Sequence, residues 1–339
     1  SYIARTSLGF FDDESVGILS ILLYIFFFNK SIEDKGRSSL KEVILSPKTG
    51  WSIASGLTLG YLCASWGASR YLIAMTAIFV FILLISKRYS SRLLFSYAIT
   101  FFIAISIASC IPRLGSRFPL DYLGTKFNFE YQNLSVYIMF FLMLLVEINR
   151  RSETRAKKFY RFSIVMVLLA ALILFLWLNG IISPLGAKFM SALNPSIRFG
   201  YPIIESVAEH RPSTWSTFYH NFGIGIFFFP LGLYFATIMA TNLSIFMIIY
   251  GLTSLYFASS MIRLNIMVSP PLSILWALAI VRLLKPFIIS LRESSKSTRI
   301  KTPLRRSLGK ELSAGVLIFM FILLVLAYVC LLYTSPSPR

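Results

Sequence analysis

Acidic side chains are scarce here: 14 Asp and Glu stand against 33 Lys and Arg in 339 residues, with only three Cys and two His. The cysteines (Cys63, Cys110 and Cys330) lie inside apolar runs, where they read as small buried hydrophobes. No disulfide framework or zinc spacing follows from them. No phosphate-cradling glycine loop and no Ser/His/Asp arrangement occurs either, which excludes the common soluble hydrolase and nucleotide-binding signatures. Apolar residues, by contrast, make up 56% of the chain and the mean hydropathy is +0.73. That composition defines an all-α polytopic membrane protein.

About ten apolar stretches are long enough to cross a bilayer, given roughly 20 residues per helix with some allowance for tilt. They fall near 15–29, 51–69, 71–86, 93–112, 132–148, 162–181, 218–239, 242–258, 265–284 and 312–334. The aromatic runs Phe26-Phe27-Phe28 and Phe227-Phe228-Phe229 read as lipid-facing or packing residues, and Pro270-Pro271 as a kink in the ninth span. The longest polar segment between spans, 182–217, holds Pro184, Pro195, Pro202 and Pro212, which disfavours a continuous helix.

The net charge of +19 invites a nucleic-acid reading, but the basic residues form no single patch. They gather in alternate loops, the pattern of membrane orientation. If the first span runs outward to inward, the inner segments hold 23 of the 33 basic residues. Asp12, Asp13, Glu14, Glu205, Glu209 and Arg263 then all fall on the external side, with the loop 182–217. Nucleic acid is excluded as a partner; the lipid bilayer is the expected one.

Carboxylates beside a membrane span are costly without partners, which marks them as candidates for function. Asp12-x-Glu14 sets two hard oxygen ligands two positions apart, a donor set suited to Mn²⁺ or Mg²⁺. An acidic pair at a loop–helix junction also favours the helix N-terminus, and both readings stand at this point. Arg5 is placed to neutralise these carboxylates or to be a solvated loop residue. Glu209 can accept a hydrogen bond from a substrate amide. His210 is a ligand or, by preference, a loop residue bonded to a carbonyl. Arg263 either snorkels at the membrane edge or binds an anionic lipid phosphate through its fork of N–H donors.

Read as strings, these residues resemble a known family. Tyr2-Ile3-Ala4-Arg5-Thr6-Ser7-Leu8-Gly9-Phe10-Phe11-Asp12-Asp13-Glu14 is similar to the second acidic motif of the oligosaccharyltransferase catalytic subunit, Tyr-Ile-x-Arg-Ser-x-x-Gly-x-Tyr-Asp-Asn-Glu. Ser206-Val207-Ala208-Glu209-His210-Arg211-Pro212 resembles that family's external-loop motif, Ser-Val-Ser-Glu-His-Gln-Pro. Ser65-Trp66-Gly67 and Met261-Ile262-Arg263-Leu264 match further strings in order. The resemblance covers residues 1–330 and implies a GT-C type transmembrane domain with thirteen spans, of which the ten here are the fourth to the thirteenth.

The resemblance further implies that Asp12 and Glu14 bind a divalent metal, Mn²⁺ or Mg²⁺, with Arg5 ordering them. Glu209 would hold the acceptor asparagine's amide, and Arg263 would contact the pyrophosphate of the lipid-linked donor. The implied reaction moves a glycan from a dolichyl or polyprenyl carrier to asparagine in Asn-x-Ser/Thr of an acceptor polypeptide. Another polyprenyl-sugar-dependent transferase, or a transporter with an external carboxylate ion site, are the competing readings.

The expected organisation is an external loop with the acidic motif at 1–14, a transmembrane domain at 15–334, and a non-native tail at 335–339. The family's first acidic motif and its C-terminal soluble domain, which carries Trp-Trp-Asp-Tyr-Gly, are missing from the sequence. The chain opens on polar loop sequence without Met. It is therefore expected to be a central piece, inactive alone. Asp13 and Arg211 depart from the family pattern. Ala208, Arg211 and the compact loops point to an archaeal membrane over the endoplasmic reticulum.

Overall fold

The computed structural model describes residues 13–33, 46–111, 129–150, 174, 182–183, 210–296 and 314–326. Nine of the ten expected spans fall on helices; the one near 162–181 lies outside the described residues apart from Leu174. The first four described helices are α1 (Asp13–Ile32), α2 (Lys48–Ser65), α3 (Ser69–Ile85) and α4 (Ser91–Ser109). Then come β1 (Phe129–Glu130), α5 (Tyr131–Arg150) and β2 (Ile182–Ser183), the two strands pairing in parallel through Phe129 with Ile182 and Glu130 with Ser183. The remainder is α6 (Trp215–Phe222), α7 (Gly225–Met239), α8 (Asn242–Ser260), a 3₁₀ segment (Ile262–Val268), α9 (Ser269–Lys296) and α10 (Ala314–Leu326).

Among the described residues, four helices are long and apolar enough to cross a membrane, five if the bent α6–α7 pair is one span, and α3, Ser135–Asn149 and α10 are shorter apolar helices. Helix α2 falls short on composition because it is rich in Ser, Thr and Gly. The reason lies in its packing. Helix α2 sits between α1 and α4, and its small residues let the backbones approach: a Cβ at Gly56 would stand 2.9 Å from the Thr100 carbonyl oxygen, and one at Gly60 would stand 2.7 Å from Ile107 Cδ1. Among lipids as apolar as leucine, close packing and interhelical hydrogen bonds hold helices together. Ser52 Oγ accordingly donates to Ser96 Oγ at 3.2 Å, and Thr100 Oγ1 to the Ser52 carbonyl at 3.3 Å. Large apolar side chains such as Leu19, Phe26, Phe102 and Phe227 stay on the outside of the bundle, where lipid replaces water as the solvent.

Two local expectations are corrected. The span placed at 218–239 is not continuous: α6 and α7 meet at an angle of 85°. The break is at Gly223, whose φ of 53° lies where a side chain is strained and glycine is not. Pro270-Pro271 does not kink a span midway. Both prolines sit in the first turn of α9, where missing N–H groups cost the helix nothing, directly after the 3₁₀ segment ends.

Contacts between helix ends fall into two sets. At one rim, Arg92 Nε donates to the Ser31 carbonyl at 2.9 Å, and Tyr89 OH and Ser91 Oγ both donate to Glu147 Oε2 at 3.0 Å. Arg88 also bonds the Ala240 carbonyl there, and Lys48 the Glu33 carbonyl. At the other rim lie the N-terminus of α1, the β1–β2 pair and the 3₁₀ segment. These are the same two sets into which the charge count divides the segments.

Near the middle of the bundle, Gly232 of α7 lies against α9, and a Cβ there would fall 2.2 Å from the Leu275 carbonyl oxygen. Backbone cannot step aside as a side-chain tip does. Gly232→Ala is therefore expected to destabilise the bundle by about 1–3 kcal/mol, the cost of overpacking. The check is a thermal scan in detergent; an unchanged midpoint would show that α7 and α9 are less closely apposed.

Candidate active site at one rim of the bundle

Helix α1 begins on two acidic residues, Asp13 and Glu14, where the unsatisfied N–H groups of a helix start favour negative charge. Asp13 points to the exterior, whereas Glu14 is buried at 1% exposure. One turn along, Gly17 leaves room for an indole: a Cβ at Gly17 would lie 2.2 Å from Trp66 Cε3. Trp66 follows α2 in extended conformation and is itself buried. The Ser65-Trp66-Gly67 string thus has a structural use, since it fixes how closely α2 approaches α1 just below Glu14.

A carboxylate this buried needs a cation or several donors. Arg263 provides one, its Nε donating to Glu14 Oε1 at 3.2 Å across 249 residues of sequence. The pair is asymmetric, with the Arg263 side chain 38% exposed and Glu14 1%. Arg263 can therefore face a ligand while Glu14 is held inside. Its backbone is rigidly set: Asn265, Ile266, Met267 and Val268 of the same 3₁₀ segment are all buried. The sequence puts both residues on one side of the membrane but gives each a different partner; the direct bond between them is a finding of the structure.

The chain from His210 onward reaches the same place. The Ile262 N–H donates to the Arg211 carbonyl at 3.0 Å, so the residue before Arg263 is tied to the chain two residues beyond Glu209. His210, half-buried, lies in a short turn at the start of this described stretch. Arg5, Asp12 and Glu209 lie outside the described residues. Of the six candidate site residues, the structure thus brings Glu14, Arg263 and the segment starting at His210 to one rim. Two further residues there, Ser213 and Asn265, were not singled out by sequence reasoning. Each is a common polar type in a loop or helix end, and only its bonding distinguishes it.

As for a metal, no group of three His, Cys, Asp or Glu side chains gathers among the described residues. Glu14 is a hard oxygen donor of the right type, buried and with one oxygen bonded to Arg263 Nε. Together with Asp12 two positions earlier it would form a donor set of carboxylates, which suits Mn²⁺ or Mg²⁺.

A helical membrane protein with a guanidinium–carboxylate pair at one rim, beside the segment that starts at His210, is the class that fold and site define. The family described as oligosaccharyl transferase STT3, N-terminal, matches residues 1–281, and the chain belongs to that family. It is 31% identical over 304 residues to the STT3B subunit of the dolichyl-diphosphooligosaccharide–protein glycosyltransferase of Oryza sativa subsp. japonica, covering 87% of this chain and 39% of the rice protein. It is 30% identical over 336 residues to the STT3 subunit of Dictyostelium discoideum, covering 96% and 43%. Among solved structures, the archaeal oligosaccharyltransferase of Archaeoglobus fulgidus in its apo form superposes with a TM-score of 0.63 at 18% identity, over 92% of this chain and 38% of that one. The same organism's AglB, in complex with an inhibitory peptide and a dolichol-phosphate, gives 0.62 at 15%, over 93% and 38%. These likenesses concern the fold. The chain spans less than half the length of the curated relatives it matches.

Proposed function

We propose that the intact protein is an oligosaccharyltransferase catalytic subunit, moving a preassembled glycan from a dolichyl or polyprenyl pyrophosphate carrier to asparagine in Asn-x-Ser/Thr. The observation that carries this reading is the bond between Glu14 and Arg263, beside the chain that follows Glu209, in a member of the STT3 family. The full membrane domain would hold about ten helices of GT-C type in this part of the chain, with the site on the external or lumenal side. The charge count supports that side. Relatives in a plant and in Dictyostelium support an endoplasmic reticulum membrane over the archaeal one to which Ala208 and Arg211 point.

A carboxamide nitrogen is a poor nucleophile because its lone pair is delocalised into the carbonyl. In this reading Glu209 accepts a hydrogen bond from the amide N–H, turns the nitrogen out of conjugation and takes the proton that the nitrogen loses on attack. The anomeric carbon of the glycan is then attacked from the face opposite its phosphate, with inversion. Arg263 meets the negative charge growing on the leaving pyrophosphate, where charge-assisted bonds count most. A guanidinium carries five N–H donors, so bonding to Glu14 through Nε is compatible with contact to phosphate. Asp12 and Glu14 would hold Mn²⁺ or Mg²⁺, which would supply positive charge that keeps these carboxylates in place. Arg5 orders these carboxylates, and His210 is a loop residue without a chemical step.

The test is glycopeptide formation by the full-length enzyme, with a lipid-pyrophosphate glycan and a sequon peptide, read by mass spectrometry. Product is expected with the Asn peptide and none when Asn is replaced by Gln. Chelation should stop the reaction and added Mn²⁺ restore it. No glycopeptide from intact, folded enzyme overturns the reading, and transfer that survives chelation removes the metal from it.

A further inference from the structure

The last carbonyls of a helix have no partner within the helix. In α8, the Ala258 and Ser259 carbonyls find theirs in a distant part of the chain. Ser213 Oγ donates to the Ala258 carbonyl at 2.6 Å, and the Ser213 N–H to the Ser259 carbonyl at 3.1 Å. With its proton so placed, the Ser213 hydroxyl has lone pairs to offer, and Asn265 Nδ2 donates to it at 3.1 Å. Asn265 is 3% exposed, two residues past Arg263 on the same 3₁₀ segment. Burying an amide is unfavourable unless it is hydrogen-bonded, so the Ser213 bond offsets part of that cost. The neighbouring bond from the Ile262 N–H to the Arg211 carbonyl closes the same strap one step nearer the site. Beyond it, Thr214 caps α6 by accepting from the Thr217 N–H at 3.3 Å, so the strap is anchored on both sides.

We infer that Ser213 and Asn265 form a latch which sets the end of the external loop in register with the Glu14–Arg263 pair. They are thereby positioning residues for acceptor binding, since four residues of chain from Ser213 back to Glu209 reach at most about 14 Å. Neither residue touches the reacting atoms. The inference rests on the proposed function for its consequence, and on the geometry alone for the latch itself. Donor use runs through Arg263, which the 3₁₀ segment holds by its own burial. Loosening the latch therefore acts on the acceptor side.

The experiment uses the full-length enzyme with Ser213→Ala, Asn265→Ala, the double variant, and Ser213→Thr. Asn265→Ala is expected to raise the KM for the sequon peptide about three- to tenfold, the worth of one neutral hydrogen bond, and Ser213→Ala at least as much because it also loses the bond to the Ala258 carbonyl, with donor KM unchanged. The double variant should be no worse than the poorer single one, because both remove the same bond. Ser213→Thr keeps the hydroxyl and should retain the wild-type KM. Amide hydrogen exchange over 211–218 should rise in both alanine variants and stay low in Ser213→Thr. Unchanged exchange overturns the latch. Raised exchange with peptide and donor KM changing in parallel overturns its positioning role. If the wild-type enzyme makes no glycopeptide at all, the proposed function fails instead, while the exchange measurement still decides the latch.

Discussion

Asp12→Ala in the full-length enzyme is expected to bring glycan transfer close to background, a fall of about 10²–10³-fold, while membrane insertion and thermal stability stay near normal. The size follows from what the residue would do, since groups preorganised around the reacting centre commonly contribute that much. The selectivity follows from where it stands. Asp12 directly precedes α1 in the sequence, so its loss removes a carboxylate and no side chain of that helix. Glu14→Gln is the companion variant. It keeps the shape of a side chain that is 1% exposed and loses its charge, so Arg263 faces an amide in place of a carboxylate. Peptide glycosylation assayed across a Mn²⁺ series decides it. Activity that falls for Asp12→Ala at every concentration fits a metal-holding or amide-holding carboxylate. Near-normal turnover would reduce Asp12 to a residue that merely favours the helix start.

Arg263→Ala is expected to lower the efficiency of donor use roughly tenfold to a hundredfold, the equivalent of about 1.5–3 kcal/mol for a charge-assisted hydrogen bond. It should act on the lipid-linked donor more than on the acceptor peptide. Arg263→Lys should recover only part, because an ammonium keeps the charge but not the fork of donors. The structure adds a second consequence. Removing Arg263 leaves Glu14 buried without this cation, and breaking such a pair from one side is more costly than losing both partners. Arg263→Ala with Glu14→Gln should thus be more stable than Arg263→Ala alone, although neither transfers glycan well. Separate titrations of donor and peptide provide the check. A collapse in peptide affinity with donor dependence unchanged would assign Arg263 to acceptor binding or to structure.

The bundle was legible because its signals are of the kind sequence carries directly. Runs such as 71–86 and 242–258 gave the helices Ser69–Ile85 and Asn242–Ser260, and the distribution of Lys and Arg divided the helix ends into two sets, one of which Arg88, Tyr89 and Ser91 tie together by contact. The break at Gly223 was not legible. A glycine in an apolar run is compatible with a helix, and only its positive φ reveals the turn. Pro270-Pro271 was read as a kink because prolines inside an apolar run suggest one. Nothing in the run shows that the preceding seven residues wind as a 3₁₀ segment and leave the prolines in a first turn.

The site followed the same division. Glu14 and Arg263 were found by type and by motif, since rare carboxylates and an arginine at a span junction stand out against apolar sequence. Their bond to each other was not, because an ion pair 249 residues apart is a property of packing. The latch from Ser213 to Asn265 was invisible for a plainer reason. Serine just before a helix and asparagine in a short 3₁₀ segment are ordinary residues for such places, and their meeting depends on how the chain around Ser213 lies against the end of α8. Gly17 and Trp66 form an intermediate case: the string around Trp66 stood out by resemblance, but its use as the spacer beneath Glu14 came from the close approach of the two helices.

The most direct measurement of the single-site arrangement is a structure of the full-length enzyme with Mn²⁺ and a sequon peptide bound. The arrangement predicts that the carboxylates of Asp12, Glu14 and Glu209 converge on one site, with Glu209 on the acceptor asparagine amide and Arg263 beside the path of the leaving pyrophosphate. Glu14 and Glu209 on opposite membrane faces, or too far apart to serve one site, would contradict it.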